Sequence, residues 1–565
     1  MNTTAGPTLA PIPDATAEHG EVFTRRWVVN LVLDLAGYTA DQELPNLVAV
    51  EPACGGGAFL GPMVARLSES CRRTGRTLSD AAGAIRAFDL LDRNVEESRR
   101  VVEKVLIEDD WPHDDAASAA RTWVRKGDYL LQGQAEGEVD FVLGNPPYVR
   151  LESVPGNRMA AYRQKCSTMT GRADLYVGFF EIGLRSLREN GTLAFICADR
   201  WMRNQYGRLL RKMVSQGYNV ETVISMHDVD AFDEQVSAYP AISVIRRSKQ
   251  GPVIVVDTQR SFDEAAAARM MTWIRKSDSY SEETDSYSAA RLPHWFTGED
   301  SWPSGPPSRL ALIEDLNNRF LPLEDRATGT RVGIGVATGA DSVFITRDAP
   351  VEESRLLPLA MVRDIRSGRL IWSGNYLINP WDCDGNLVDL RDYPRLRRYL
   401  QRNADKLRQR YVASKRPGQW YRTIDKVDDS LTRRPKLLLP DLKLTTHPVL
   451  DEGGYYPHHN LYYIISDKWD LRILGGLLIS GVAQAFMEAY AVRMRGGTLR
   501  FQAQYLRKIR VPHPDHISAE DGALLADAFD RRDTLAATDA AIRVYGIKGM
   551  GDLGLGSEGL RGSGS

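Results

Sequence analysis

The feature that most constrains this chain is an alternation. Between residues 20 and 247, short apolar runs end on polar tips and are followed by helical stretches. "LVAVEPACGGGAFL" (47–60) reads as a strand, a glycine-rich turn and the start of a helix. "AAGAIRAFDLLDRN" (81–94) repeats that logic and ends its strand on Asp89. "WVRKGDYLL" (123–131) and "VDFVLGNPPY" (139–148) are further strands with polar tips. "TLAFICADRWM" (192–202), "NVETVISMHD" (219–228) and "AYPAISVIRR" (238–247) are three more strands. "VFTRRWVVNLVLDLAG" (22–37) reads as a helix closed by glycine, and "DLYVGFFEIGLRSLRENG" (174–191) as an amphipathic helix closed by Asn-Gly. Such alternation predicts a mostly parallel, doubly wound α/β sheet of the Rossmann type. Ligands on such sheets sit at the C-terminal ends of strands, where these polar tips fall.

The chain has 565 residues, too many for one core. Residues 21–250 are expected to form one domain, after a flexible N-terminus at 1–20. Residues 251–310 are polar and rich in Ser, Asp and Pro, as in "RKSDSYSEETDSYSAA", and read as a linker or long excursion holding the domain boundary. Residues 311–515 carry short apolar strands, "VGIGVA", "SVFIT", "KLLLP" and "LYYIIS", and read as a mixed α/β domain. One helix is expected at 518–545, within a C-terminal segment 516–547, and a disordered, glycine-rich tail at 548–565.

Several classes are excluded. The five cysteines are scattered and none forms a Cys-x-x-Cys, which argues against a disulfide frame and a zinc site. No metal is expected. No stretch of about 18 uncharged apolar residues is present, so no membrane span is expected. The N-terminus lacks the basic and apolar regions of a signal peptide, so a cytoplasmic location is expected. Net charge is −2, yet residues 391–443 hold 16 Lys/Arg against 6 Asp/Glu. Residues 493–510 hold six Lys/Arg and no acid. Two such blocks make a phosphate footprint; a solvated helical face explains the first block equally well.

The strand tips carry chemistry. Glycines between a strand and a helix let the backbone approach a ligand, as at Gly55 and Gly57. No Gly-Lys-Ser/Thr follows, so this is not a nucleotide P-loop. Asp89 stands where a carboxylate holds a ribose hydroxyl pair, and Asp128 can accept from an adenine amino group. Three consecutive tips thus suit a nucleoside cofactor.

"VLGNPPYVR" (142–150) is the fourth tip. The amide oxygen of Asn145 and a carbonyl fixed by Pro146 and Pro147 can both accept from one NH2 group. An aromatic amine is a poor nucleophile because its lone pair is delocalised into the ring. Holding both N–H bonds favours a tetrahedral nitrogen whose lone pair faces a methyl donor. Tyr148 offers a flat face for a planar base, worth about 1–3 kcal/mol.

With these residues in hand, positions 20–247 resemble the catalytic domain of gamma-class, TaqI-like DNA N6-adenine methyltransferases. In that class the cofactor motif precedes Asn-Pro-Pro-Tyr and a target-recognition domain follows. The resemblance implies S-adenosylmethionine as cofactor. It assigns Glu51, Ala53, Cys54 and Gly55, with Gly57, to the cofactor loop, Asp89 with Leu90 to the ribose, and Asp128 with Tyr129 to the adenine. Phe179 in "DLYVGFFE" matches the aromatic set against the cofactor adenine, and Asn145 also borders the cofactor. Thr24 matches a residue near the methionine carboxylate, although Arg25 stands where the family has proline. A second aromatic stacks on the flipped base; Phe232 is assigned to it, with Tyr239 as the rival.

Segments of the second half, "ATGADSVFI", "RPGQWYR", "KLLLPDL" and "MRGGTLRFQAQYLRKIRVPHP", resemble the recognition half of type II and type IIG methylases. That makes Arg416, Trp420, Arg493, Arg495, Arg500 and Lys508 candidates for contact with double-stranded DNA. A base inside a duplex must be flipped out to reach a strand-tip pocket. Only about 20 residues precede the first helix, too few for a nuclease of the kind type IIG enzymes carry there. "PHHN" (457–460) reads as a polar loop before a strand rather than a nuclease site. A cognate endonuclease or other defence protein is therefore expected as a separate chain. The alternative is an amino-methyltransferase acting on RNA or a protein side chain, since Asn-Pro-Pro-Tyr alone does not name the substrate.

Overall fold

The computed structural model describes residues 24–132, 136–233, 239–276, 278–348, 350–443, 446–491, 499–500 and 502–555. Contacts divide the chain into two compact units, Met1–Pro307 and Ser308–Ser565.

The first unit is built on one ten-stranded sheet. Its strands are β1 (Ala49–Glu51), β2 (Ile85–Asp89), β3 (Val124–Lys126), β4 (Val139–Gly144), β5 (Leu187–Ala198), β6 (Asn219–Ser225), β7 (Pro240–Arg246), β8 (Val253–Thr258), β9 (Ser281–Glu283) and β10 (Tyr287–Leu292). Their order is β3-β2-β1-β4-β5-β7-β6-β8-β10-β9. The pairs from β3 through β5 are all parallel. Strand β7 runs antiparallel between β5 and β6. The chain winds outward from β1 in one direction and resumes at β4 in the other, which opens a crevice at the C-terminal ends of β1 and β4.

Helices cover both faces. On one, Val28, Val29 and Val32 of helix Arg26–Ala36 and Leu60, Met63 and Val64 of helix Leu60–Thr74 share a core with Leu143 and Ala194. On the other lies helix Tyr176–Ser186, so close that a Cβ on Gly183 would sit 2.8 Å from Leu193 and 3.2 Å from Val142. Neighbours in a strand point to opposite faces, so Val142 serves one layer and Leu143 the other. The Asn-Gly expected to close this helix instead lies inside β5: the helix ends at Ser186. Asn190 takes φ 65°, and pairing with β4 jumps from Val139↔Leu187 to Phe141↔Thr192.

The segment expected as a linker or long excursion, 251–310, is a second correction to the extent that it is not a linker. It supplies β8, β9, β10 and helix Glu264–Arg275, whose start is capped by the Asp263 side chain accepting from the Ala266 N–H. Its polar composition is that of strands at a sheet edge, where one face meets water. Tyr287, Ala289 and Leu292 are the buried positions of β10. Trp302 then ties the end of the segment back, its backbone N–H donating to Met202 O (2.8 Å) and its ring lying against Trp201.

The second unit holds an antiparallel sheet ordered Arg331–Ile334, Leu461–Ile465, Lys436–Pro440, Val449–Asp451. Another four-stranded sheet pairs Leu356–Ala360 with Tyr376–Ile378 and Tyr456–Pro457. "SVFIT" is not one strand: Asp341–Phe344 is a helical turn and only Ile345–Thr346 is extended. The single helix expected at 518–545 is two, Ala519–Arg531 and Thr534–Tyr545, broken where Arg532 takes φ 60° and Asp533 caps the second. The expected disordered tail begins in order: Met550–Leu553 is a 3-10 turn and Leu553 is buried. Among the described residues no single helix is long and apolar enough to cross a membrane; the bent pair Leu471–Ile479 and Gly481–Tyr490 lies in this unit's core.

Candidate active site

The crevice between the tips of β1 and β4 is a cleft of ≈ 1070 Å³, counting the open space at its mouth. Four strand tips reach it. Thr24, Glu51, Ala53, Cys54, Gly55, Asp89, Leu90, Asp128, Tyr129, Asn145 and Phe179, each expected at a cofactor site, all line it. Gly57 does not. Its φ of +87° makes the tight turn, and a Cβ there would press on Val101 at 3.2 Å. It shapes the loop by letting helix Asp92–Glu108 pack against it.

Asp89 is fully engaged at its post. One carboxylate oxygen accepts from Gly55 N (3.0 Å); the other accepts from Leu91 N (2.9 Å) and Asn94 Nδ2 (3.1 Å). The same acid that faces the cleft therefore staples the glycine loop to the tip of β2. Glu51 is 2% exposed, and its Oε2 has no hydrogen-bond partner. Burial and the neighbouring Asp89 charge push its carboxyl well above the usual range. A buried anion without a partner is costly, and a cationic ligand group relieves that cost. Burial likewise pushes the Cys54 thiol far up, which leaves it a packed, unreactive side chain.

The opposite wall suits an adenine. Tyr129 and Phe179 stack at 5.7 Å with 23° between planes, and Phe88 flanks Tyr129 at 5.8 Å. Asp128 closes this end. Its Oδ2 accepts from Arg158 Nη1 (2.5 Å) and from the Tyr162 hydroxyl (2.8 Å). Neither donor belongs to a motif. Their i, i+4 spacing put them on one helical face in "GNRMAAYRQK", but nothing local said that face would meet Asp128. An aromatic slot, three acidic tips and an orphaned buried carboxylate oxygen fit S-adenosylmethionine, which offers an adenine, a ribose diol and an ammonium.

The Asn-Pro-Pro-Tyr stretch forms the far rim. Asn145 Nδ2 donates to Thr24 Oγ1 (3.2 Å), which turns the amide oxygen the other way. Asn145 and Pro147 face the cleft and Pro146 is buried. The Tyr148 hydroxyl is buried without a partner. Its ring meets Phe232 edge to face at 6.4 Å. Tyr239, the rival aromatic, lies instead against His227 at 5.1 Å. Arg25 explains the departure from proline. Its N–H donates to Ala231 O (3.1 Å), its Nε to Phe232 O (3.2 Å), and its Nη2 pairs with Asp230 (2.5 Å). Proline has no N–H and no guanidinium, so it could make none of these bonds.

In the second unit, helix Pro394–Arg402 buries Leu396 and Leu400 and exposes Arg395, Arg397, Arg398 and Arg402. Arg416 is exposed; Trp420 is half-buried under the Arg408 guanidinium at 5.0 Å. The Lys508 ammonium lies 5.9 Å from the Tyr490 ring. Arg493 and Arg495 lie outside the described residues, and of Arg500 only the backbone strand is described. In the Pro-His-His-Asn loop, His458 Nε2 pairs with Asp341 Oδ2 (3.1 Å), while the Asn460 N–H points at His458 Nδ1. His459 stands beside the pair, so that Asp341, His458 and His459 bring one ligand atom each within 4.8 Å of one another.

Known proteins resemble this chain over most of its length. A family model described as Eco57I restriction-modification methylase matches residues 66–232. The type II methyltransferase M.PaeR7I of Pseudomonas aeruginosa is 41% identical over 96% of this chain and 94% of its own length. The type II methyltransferase M.XhoI of Xanthomonas vasicola is 40% identical over 94% of this chain and 97% of its own. Among solved structures, the type IIL restriction-modification enzyme MmeI, in complex with DNA, aligns at a TM-score of 0.52 and 13% identity. The match covers 92% of this chain and 74% of that one.

Proposed function

The chain belongs to the type II methyltransferases of restriction-modification systems, and from that premise we propose that it methylates the N6 amino group of adenines flipped out of duplex DNA. S-adenosylmethionine supplies the methyl group as an electrophilic sulfonium. The observation that carries the reading is the junction at one rim: Asn145, on the cleft wall, is tied to Thr24, and Tyr148 meets Phe232, the backbone bridge partner of Thr24.

In this reading the Asn145 amide oxygen and the carbonyl beside Pro146 accept the two amino N–H bonds. The nitrogen lone pair then turns toward the cleft. Tyr148 offers its ring face to the base, the buried Phe232 braces that ring edge to face, and the pair keeps water from the reacting nitrogen. No strong base is needed, because the nitrogen becomes acidic only once it carries the methyl group, and its proton then passes to solvent as the base leaves the pocket. The second unit grips the duplex, with exposed arginines of helix Pro394–Arg402 on phosphates. A cognate endonuclease is a separate protein whose sites this methylation protects.

The test is single-molecule sequencing of DNA from a methylase-free host, with and without the gene expressed. New N6-methyladenine at one recurring short sequence is the expected result. Folded protein that binds S-adenosylmethionine yet leaves no DNA mark overturns the reading and moves the substrate to RNA or a protein side chain.

A further inference from the structure

We propose that Arg158 and Tyr162 are positioning residues that hold the Asp128 carboxylate as the acceptor for the cofactor's adenine amino group. The inference rests on the reading of Asp128 as the adenine-contacting acid.

Three observations carry it. Arg158 Nη1 and the Tyr162 hydroxyl converge on one atom, Asp128 Oδ2, at 2.5 and 2.8 Å. The Arg158 and Asp128 side chains are each only 12% exposed, and Tyr162 is 1% exposed. Tyr162 also lines the cleft with Tyr129, Leu130 and Phe179, so the bonded cluster borders the adenine slot itself.

The physical reason concerns donor polarity. An adenine amino group is a donor of two N–H bonds. It needs an ionised carboxylate, which offers about four acceptor positions. Burial works against that form, and it raises the Asp128 pKa despite both donors. A protonated Asp128 would present its own O–H to a donor. The guanidinium cannot lose its proton and supplies the countercharge inside the cleft. Tyr162 stays a donor, because burial and the Asp128 charge push its phenol up. Two donors on Oδ2, with the Leu130 backbone N–H also bonded to the carboxylate, fix its plane and leave acceptor capacity for the ligand. Both residues come from helix Gly156–Lys165, which follows the Asn-Pro-Pro-Tyr rim in the chain. The element that leads away from the base-holding motif therefore returns to complete the cofactor subsite.

The experiment is calorimetric titration of the full chain with S-adenosylhomocysteine and with S-inosylhomocysteine. The second replaces the amino donor with a carbonyl acceptor. The wild-type chain is expected to prefer the adenosyl compound. Arg158→Ala should reduce that preference at least tenfold, Tyr162→Phe several-fold, and Arg158→Lys should restore part of it. Asp128→Ala should abolish it. Thermal unfolding of each variant establishes that it is folded, and Tyr162→Phe removes one hydroxyl only. If folded Arg158→Ala and Tyr162→Phe bind both compounds more weakly by the same factor, the pair merely braces the helix and the inference is wrong. If Asp128→Ala keeps the wild-type preference, the underlying assignment of Asp128 fails instead.

Discussion

Glu51→Gln should move stability and affinity in opposite directions. The side chain is 2% exposed, its Oε2 lacks a donor, and Asp89 stands beside it. Its folded pKa is raised, so its contribution to stability is whole below the unfolded carboxylate range and is lost as pH rises through the folded value. Glutamine keeps the shape and removes the charge. At neutral pH the ligand-free variant should therefore unfold at a higher temperature than wild type, and the gap should close toward pH 4. Cofactor binding should suffer. A hydrogen bond to a charged group contributes about 1.5–3 kcal/mol, roughly ten- to 150-fold in Kd. At a cofactor concentration of 100 wild-type Kd, ligand stabilises wild type by about 2.7 kcal/mol; a 100-fold weaker variant would gain about 0.4. Calorimetry in buffers of different ionisation enthalpy should also show wild type releasing a proton on binding, and the variant not. A variant with wild-type affinity and no gain in ligand-free stability would refute the claim that Glu51 is a buried carboxyl that gives up its proton to meet a cation.

Further tests address the rim, the recognition half and its core. Asn145→Ala should abolish methyl transfer to host DNA with little loss of DNA binding; turnover near wild type would remove the clamp. Tyr148→Phe deletes a buried hydroxyl without a partner, so chemical denaturation should show a gain of about 1 kcal/mol; a loss would mean that the hydroxyl has a structural bond. Replacing Arg395, Arg397, Arg398 and Arg402 with glutamine should lower the slope of log K against log salt by roughly 1–3 in DNA binding; an unchanged slope would make this helix an ordinary solvated face. Lys436→Met leaves Asp451 buried and unpaired, since the pair is 0% and 2% exposed, and should cost the second unit about 3–5 kcal/mol. Unfolding of that unit at the wild-type denaturant concentration would show the pair to be dispensable.

What the sequence by itself determined lies where chemistry is local. Strand, tip and turn are written in consecutive residues, so Glu51, Asp89, Asp128 and Asn145 could be ranked as one ligand edge before any coordinates. A parallel α/β alternation leaves few ways to arrange such tips. Composition misled where polar strands such as β9 and β10 lie at a sheet edge, because solvent on one face gives the same residues as a linker. The break at Arg532 was equally hidden: a left-handed arginine carries no sequence mark. Only the tertiary structure decided which donors serve which acceptor. Arg158 and Tyr162 reach Asp128 across at least 30 positions, and Arg25 reaches Phe232 across 207. Such pairings depend on how helices dock on the sheet, and docking follows from buried shape rather than from any run of neighbouring residues.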